Sequence, residues 1–312
     1  METPSYAAGK AKMTTSATRS TLSTLVIAGL LSSISATSAI AQQGAIRAGG
    51  TAAIKSATAV SDNLTYADLA SLTDSAEVVV RVQVRKVTRL KPEQAPGLKP
   101  GQARVLIEAR TTALLFGPAM GEAVRYLADI PLDAKGKLPK LVKAQMLIFA
   151  RNVAGRPGEL RLVDGGAQIG WTTGVEARVR AILAELLSAE AAPRIMALRE
   201  VLFVPGNLAD EGETQLFLQT ENSAPVSLSV IRRPGMDRTW GVSLSEIVDQ
   251  AARPPMRDTL TWYRLACFLP RSIPKGAALS GSEQEHRAAE EDYAFVLREL
   301  GECSRTRAPV IR

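Results

Sequence analysis

A single histidine, His286, stands in the 312-residue chain, so neither a two-histidine metal site nor a second imidazole base can be assembled. It lies among Glu283, Glu285, Glu290, Glu291 and Asp292. The four-residue step to Glu290 puts both on one helix face, which serves a metal or general-base pair or, more commonly, a solvated polar helix. Serine catalysis needs a base held against the nucleophile. Ser243 and Ser245 lack the G-x-S-x-G turn that presents one, and helix capping accounts for Ser243. Paired carboxylates can cleave glycosidic bonds without histidine. Glu200, Asp210, Glu211, Glu213 and Glu246 form that pool, though their spacing does not aim two of them at one substrate. No glycine-rich phosphate loop or dinucleotide fingerprint occurs, and no cofactor is implied.

The most coherent polar feature is basic. Arg81, Arg85, Arg104 and Arg110 fall at outward positions of two neighbouring alternating segments, with Lys86, Arg89, Lys91 and Lys99 adding charge at the adjoining loop. Such a face either holds an anionic ligand or blunts strand pairing as a solvated surface. Single-stranded nucleic acid also wants aromatic platforms, and Tyr66, Phe116, Tyr126 and Phe149 are sparse, the last two at core positions, so nucleic acid is disfavoured. Trp171, Trp240 and Trp262 all lie in the second half, where they could stack on sugars or, more commonly, pack in a core. Two cysteines, Cys267 and Cys303, would pair in an oxidising compartment and tether the C-terminal segment. A metal site at Cys267 lacks its other ligands.

The elements that must position these residues follow from periodicity. Leu64 to Leu72 predicts a short helix, and Glu77 to Val87 alternates with Val78, Val80, Val82 and Val84 on one face. A proline- and glycine-bearing loop, Lys91 to Gly101, leads to a second strand, Ala103 to Ala113. Further strands fit Val124 to Ile130, Met146 to Phe149 and Leu160 to Val163. Five short strands with turn-forming spacers predict a small antiparallel β-barrel or a highly curved sheet, in an order that resembles the oligonucleotide- and oligosaccharide-binding (OB) type of barrel. From Thr173-Gly174-Val175-Glu176, a capping-box pattern, a helix is expected to about Leu187. An antiparallel meander is expected at Ile195 to Val204, Glu213 to Thr220 and Val226 to Arg232. Three helices complete the pattern: Ser243 to Ala252, one capped by Asp258 and carrying Trp262, Leu265 and Cys267, and Glu283 to Leu300.

The N-terminus carries an address. Lys10, Lys12 and Arg19 precede an apolar stretch from Leu22 to Ile34, and Ala39-Ile40-Ala41 before Gln42 is a signal-peptidase pattern. Translation from Met1 or Met13 gives the same mature chain. Cleavage would remove three of the 38 basic residues and one of the 31 acidic ones, leaving a net charge of +5 that by itself implies no partner. The expected organisation is a signal peptide at 1–41, a flexible leader at 42–63, a β-rich barrel at 64–168 and an α+β domain at 169–274. A disulfide-tethered tail helix follows at 275–312. No segment of the mature chain is apolar enough to span a bilayer.

Trp240 to Pro255, WGVSLSEIVDQAARPP, and Trp262 to Arg271, WYRLACFLPR, give the chain its one resemblance. It resembles a set of uncharacterised exported proteins of alphaproteobacteria. The resemblance implies a periplasmic or secreted protein and assigns no catalytic residue. The function expected is that of a non-enzymatic envelope binding or structural protein. Its partner would be an anionic envelope component, lipid head group or glycan, or another envelope protein. A carboxylate-dependent hydrolase of wall or glycan material is the alternative.

Overall fold

The first strand, β1 (Val78–Arg89), buries Val78, Val80, Val82 and Val84 against one side of itself and turns Arg81, Gln83 and Arg85 away, as its alternation requires. This is a computed structural model that describes residues 63–245, 252–275 and 277–310. The expected signal peptide with Ala41 and Gln42, the leader to residue 62, and the Ser243 to Ala252 helix from Glu246 to residue 251 lie outside the described residues.

Four strands complete a ring with β1: β2 (Gln102–Phe116), β3 (Ala123–Pro131), β4 (Gln145–Asn152) and β5 (Glu159–Leu162). Their order is β1-β2-β3-β5-β4, and β4 pairs back onto β1. The barrel is therefore closed, but it is mixed rather than antiparallel, because β3 and β5 run parallel. An odd-membered ring cannot alternate strand direction throughout, so one parallel pair is unavoidable. Three register shifts between β1 and β2 let β1 bend far enough to pair on both sides. A sixth short strand, β6 (Gln168–Gly170), pairs antiparallel with β4.

The second sheet has the order β10-β9-β8-β7-β11. Its strands are β7 (Ile195–Pro205), β8 (Gly212–Thr220), β9 (Val226–Arg232), β10 (Thr239–Ser243) and β11 (Ala278–Ser280). The β7 to β10 pairings are antiparallel, whereas β11 joins β7 in parallel. Ser243, expected to open a helix, ends β10 instead.

Among the described residues four α-helices pack on this frame. α1 (Tyr66–Ser75) opens with a capping box between Thr65 and Asp68. α2 (Thr173–Leu186) is capped by Thr172, whose hydroxyl accepts from the Val175 amide at 3.1 Å. The cap lies one residue before the expected position, which frees Glu176 for other partners. α3 (Leu260–Phe268) is capped by Thr259 rather than Asp258, and α4 (Glu283–Leu300) by Ser282 in a capping box with Glu285. α4 docks through Ala289, Tyr293, Val296 and Leu300. The described residues belong to one compact unit, and the buried apolar side chains of barrel, sheet and helices form one continuous core.

Cys267 in α3 and Cys303 just after α4 form a disulfide across a sequence separation of 36 residues. Beyond it the tail crosses α1. Thr306 donates from its amide and hydroxyl to the buried Asp68 at 3.0 and 2.7 Å, and the Arg307 amide donates to the same carboxylate at 3.1 Å. The Arg307 guanidinium reaches Asp164 and the Gly166 carbonyl beside the barrel. Although burial works against ionised Asp68, its hydrogen bonds from Thr306 and Thr65 hold its carboxyl below the usual range. The disulfide thus secures a segment that clamps α1 to the barrel.

Candidate functional site

The outward positions of β2, β3 and β5 form a groove of about 620 Å³ that extends onto the β4–β5 connection. Alternation dictates its lining: Tyr126, Leu160 and Leu162 point into the core, so their neighbours Arg125, Leu127, Glu159 and Arg161 point out. Leu106 and Leu127 are cross-strand partners and make an apolar floor, with Leu127 46% exposed.

Charge surrounds that floor. At one end Arg104 grips Asp129 with two parallel hydrogen bonds of 2.7 and 2.9 Å, and this carboxylate raises the guanidinium's pKa. At the other, Arg125 and Arg156 both pair with Glu159, the second at 3.3 Å. The hydrogen bond from Arg125, helped by Arg156, lowers the Glu159 carboxyl below its ordinary value. Arg161 has no ion pair among the described residues. Its register partner on β4 is Arg151, another cation. The groove therefore presents four arginines against two carboxylates. One of those arginines faces a like charge across the β4–β5 pair, an arrangement that costs sheet stability.

The expected basic patch is distributed differently. Arg81 pairs with Glu176 at 3.1 Å, and its guanidinium lies 5.0 Å over the Trp171 ring. The Trp171 indole donates to Glu176 at 2.6 Å and Arg180 adds a second cation, so Glu176 is held below the usual carboxylate range despite the opposing effect of burial. Arg110 pairs with Glu122 at 3.4 Å. Of the four expected ligand-binding arginines, Arg104 lies in the groove and Arg85 is exposed without an ion pair among the described residues. Arg81 and Arg110 are engaged by acids outside it. The four do not make one bare cationic face, because three of them meet a carboxylate: Asp129 across the β2–β3 register for Arg104, Glu176 of α2 for Arg81, and Glu122 just before β3 for Arg110.

The other candidates for chemistry are dispersed. Among the described residues no cluster of three or more His, Cys, Asp or Glu side chains could hold a metal ion, and the enclosed His286 Nε2 has no hydrogen-bond partner. Glu211 accepts from the Asn207 and Leu208 amides and so closes the β7–β8 turn. Glu200, Asp210 and Glu213 line neither the groove nor a second cavity of about 410 Å³ near the β8–β9 turn, and Glu246 lies outside the described residues. Trp240 and Trp262 are buried, and the Trp262 indole donates to the Leu300 carbonyl at 2.9 Å, so neither offers a stacking surface.

Sequence reasoning identified one groove residue, Arg104. Arg125, Arg156 and Arg161 were missed, although the outward alternation Arg125, Leu127, Asp129 is a signal that could have found the first. Among the described residues no helix is long and apolar enough to cross a membrane. The chain matches no known protein-family model and no curated protein.

Proposed function

We propose that this is an exported, non-enzymatic binding protein whose barrel is of the OB type and whose β2-β3-β5 groove takes an acidic glycan. The observation that carries the reading is the groove's unbalanced arginine set, above all Arg161 facing Arg151. Planar guanidinium forks suit the carboxylate, phosphate or sulfate groups of such a chain. Five-stranded OB barrels use strands 2 and 3 with the 4–5 connection to bind oligonucleotides and oligosaccharides. The one aromatic residue among the groove's lining, Tyr126, is buried with its hydroxyl bonded to Gln168, which counts against stacked bases. The apolar Leu106–Leu127 floor suits the ring faces of a sugar.

Export is supported by the disulfide, which persists where thiols are not kept reduced. It is also supported by the basic-then-apolar N-terminal pattern ending at Ala41.

Calorimetric titration with a uronic-acid hexasaccharide, against a neutral hexasaccharide of equal length, tests the glycan. Replacing both Arg156 and Arg161 with serine removes two charge-assisted contacts, about 3 kcal/mol or more, and should weaken acidic-glycan binding roughly a hundredfold. Equal affinity for the neutral glycan, or indifference to the double replacement, would overturn the reading.

A further inference from the structure

Lysine and arginine are segregated in this protein. Among the described residues, fourteen of the fifteen ion pairs use arginine and only Lys86–Glu108 uses lysine. Arginine cross-links the fold, and lysine takes almost no part in that.

Seven of the eight described lysines stand at one end of the barrel: Lys86, Lys91, Lys99, Lys135, Lys137, Lys140 and Lys143. Topology collects them there. β1 ends and β2 begins at this end, and β3 ends and β4 begins beside them, so the 90–101 and 132–144 connections become neighbours. The Leu132 amide donates to the Gly101 carbonyl at 2.8 Å, and the Lys143 amide to the Val84 carbonyl at 2.8 Å. Ala95 and Leu141, each 6% exposed, anchor the two loops into the barrel. All seven lysines are exposed, as are Arg85 and Arg89, and only three acids, Glu93, Glu108 and Asp133, stand among them. The excess of six positive charges at this rim compares with +7 for the whole chain.

We propose that this lysine rim docks the protein on an anionic lipid bilayer, independently of the arginine groove. Lysine ammonium groups are compact, strongly hydrated point charges that do not fix the geometry of a partner, which suits a diffuse, laterally mobile headgroup surface. Clustered basic residues are drawn to anionic membranes within about a Debye length, roughly 8 Å at physiological salt. Val142 adds an apolar contact: it is 54% exposed between Lys140 and Lys143, so it can enter the headgroup region while the lysine stems extend along it and keep their charges in water. No aromatic residue lies in either loop to stack on a base, which counts against nucleic acid as the occupant.

The test is cosedimentation of the full chain with phosphatidylcholine vesicles, with and without a third of phosphatidylglycerol, at low and high salt. Two variants carry equal charge loss. One has Lys99, Lys135, Lys137 and Lys140 replaced by glutamine, and the other has Arg125, Arg156, Arg161 and Arg104 so replaced. Comparing chains that differ only at these positions cancels any contribution of other segments, and circular dichroism confirms that each is folded. Because Arg104 also holds Asp129, a two-lysine rim variant, Lys99→Gln with Lys140→Gln, compared with Arg156→Gln and Arg161→Gln alone keeps charge loss equal and the test valid if the four-arginine variant unfolds. Wild type should bind only the anionic vesicles and release at high salt. The rim variant should bind at least a hundredfold more weakly, at about fivefold for each lost charge, while the groove variants bind like wild type. Three results would overturn the proposal: no wild-type binding, equal losses in rim and groove variants, or rim-dependent binding to soluble polyphosphate but not to vesicles.

Discussion

Reducing the Cys267–Cys303 bond should loosen a segment whose docking is measurable. In the unfolded chain the bond closes a loop across 36 positions, and the chain-entropy relation puts its contribution at about 3–4 kcal/mol. Within the folded chain it lies between α3 and the stretch in which Arg305 stacks over Tyr263 at 5.6 Å, Thr306 and Arg307 bind Asp68, and the Val310 amide donates to Ser71 at 3.2 Å. Those contacts remain possible without the bond, so the cost should be close to the entropic figure. Urea unfolding of the oxidised chain, the reduced chain and the Cys267→Ser, Cys303→Ser double variant should show the last two agreeing. Both should fall about 3–4 kcal/mol below the first, a loss of roughly 6–16 °C in Tm at this size. Hydrogen exchange at Thr306 and Arg307 should accelerate in the same samples. Unchanged stability on reduction would refute the reasoning, as would a reduced chain differing strongly from the serine variant.

Other outcomes follow from the buried charges and the N-terminus. Asp74 accepts two hydrogen bonds from Arg264 and two from Arg194; burial opposes its ionisation, yet these partners hold its carboxyl far below the usual range. Its contribution is therefore complete above the unfolded-state value near pH 4 and lost as pH falls toward the depressed folded one, so Asp74→Asn should flatten acid denaturation and cost about 3–5 kcal/mol at neutral pH; an unaltered acid limb would contradict this. Asp292, wholly buried, ties Arg232, Arg238 and Thr214 to α4, and Asp292→Ala should cost about 3 kcal/mol in urea unfolding, because Arg232 and Arg238 would keep only the exposed Glu291 as an ion-pair partner. N-terminal sequencing of the chain expressed in a bacterium should begin at Gln42, and a start at Met1 or Met13 would count against export.

Strands with strong alternation were legible in the sequence: β9 spans Val226–Arg232 as its pattern predicts, and α4 spans Glu283–Leu300. The three-residue strands β6 and β11 and the five-residue β10 were not, since so few residues carry no period and their pairing depends on partners far along the chain. The caps of α2 and α3 were legible to within one residue, because Thr172 and Thr173 are equally able to accept the capping amide's hydrogen bond and the backbone of Thr172 decides, whereas Ser243, read as a cap, ends β10. Arginine positions were readable as outward, but their state was not. Whether Arg104 meets Asp129, or Arg161 meets Arg151, is set by strand register, which local sequence leaves open. The groove depends further on β5 inserting between β3 and β4, a long-range pairing with no local signature.

The direct test of the groove is an amide chemical-shift titration of the isotope-labelled protein with the uronic-acid hexasaccharide. Saturable shifts concentrated at Arg104, Leu106, Arg125, Leu127 and Arg161 are the expected result. Shifts gathered on the second sheet instead, or none up to millimolar glycan, would contradict a sugar-binding barrel.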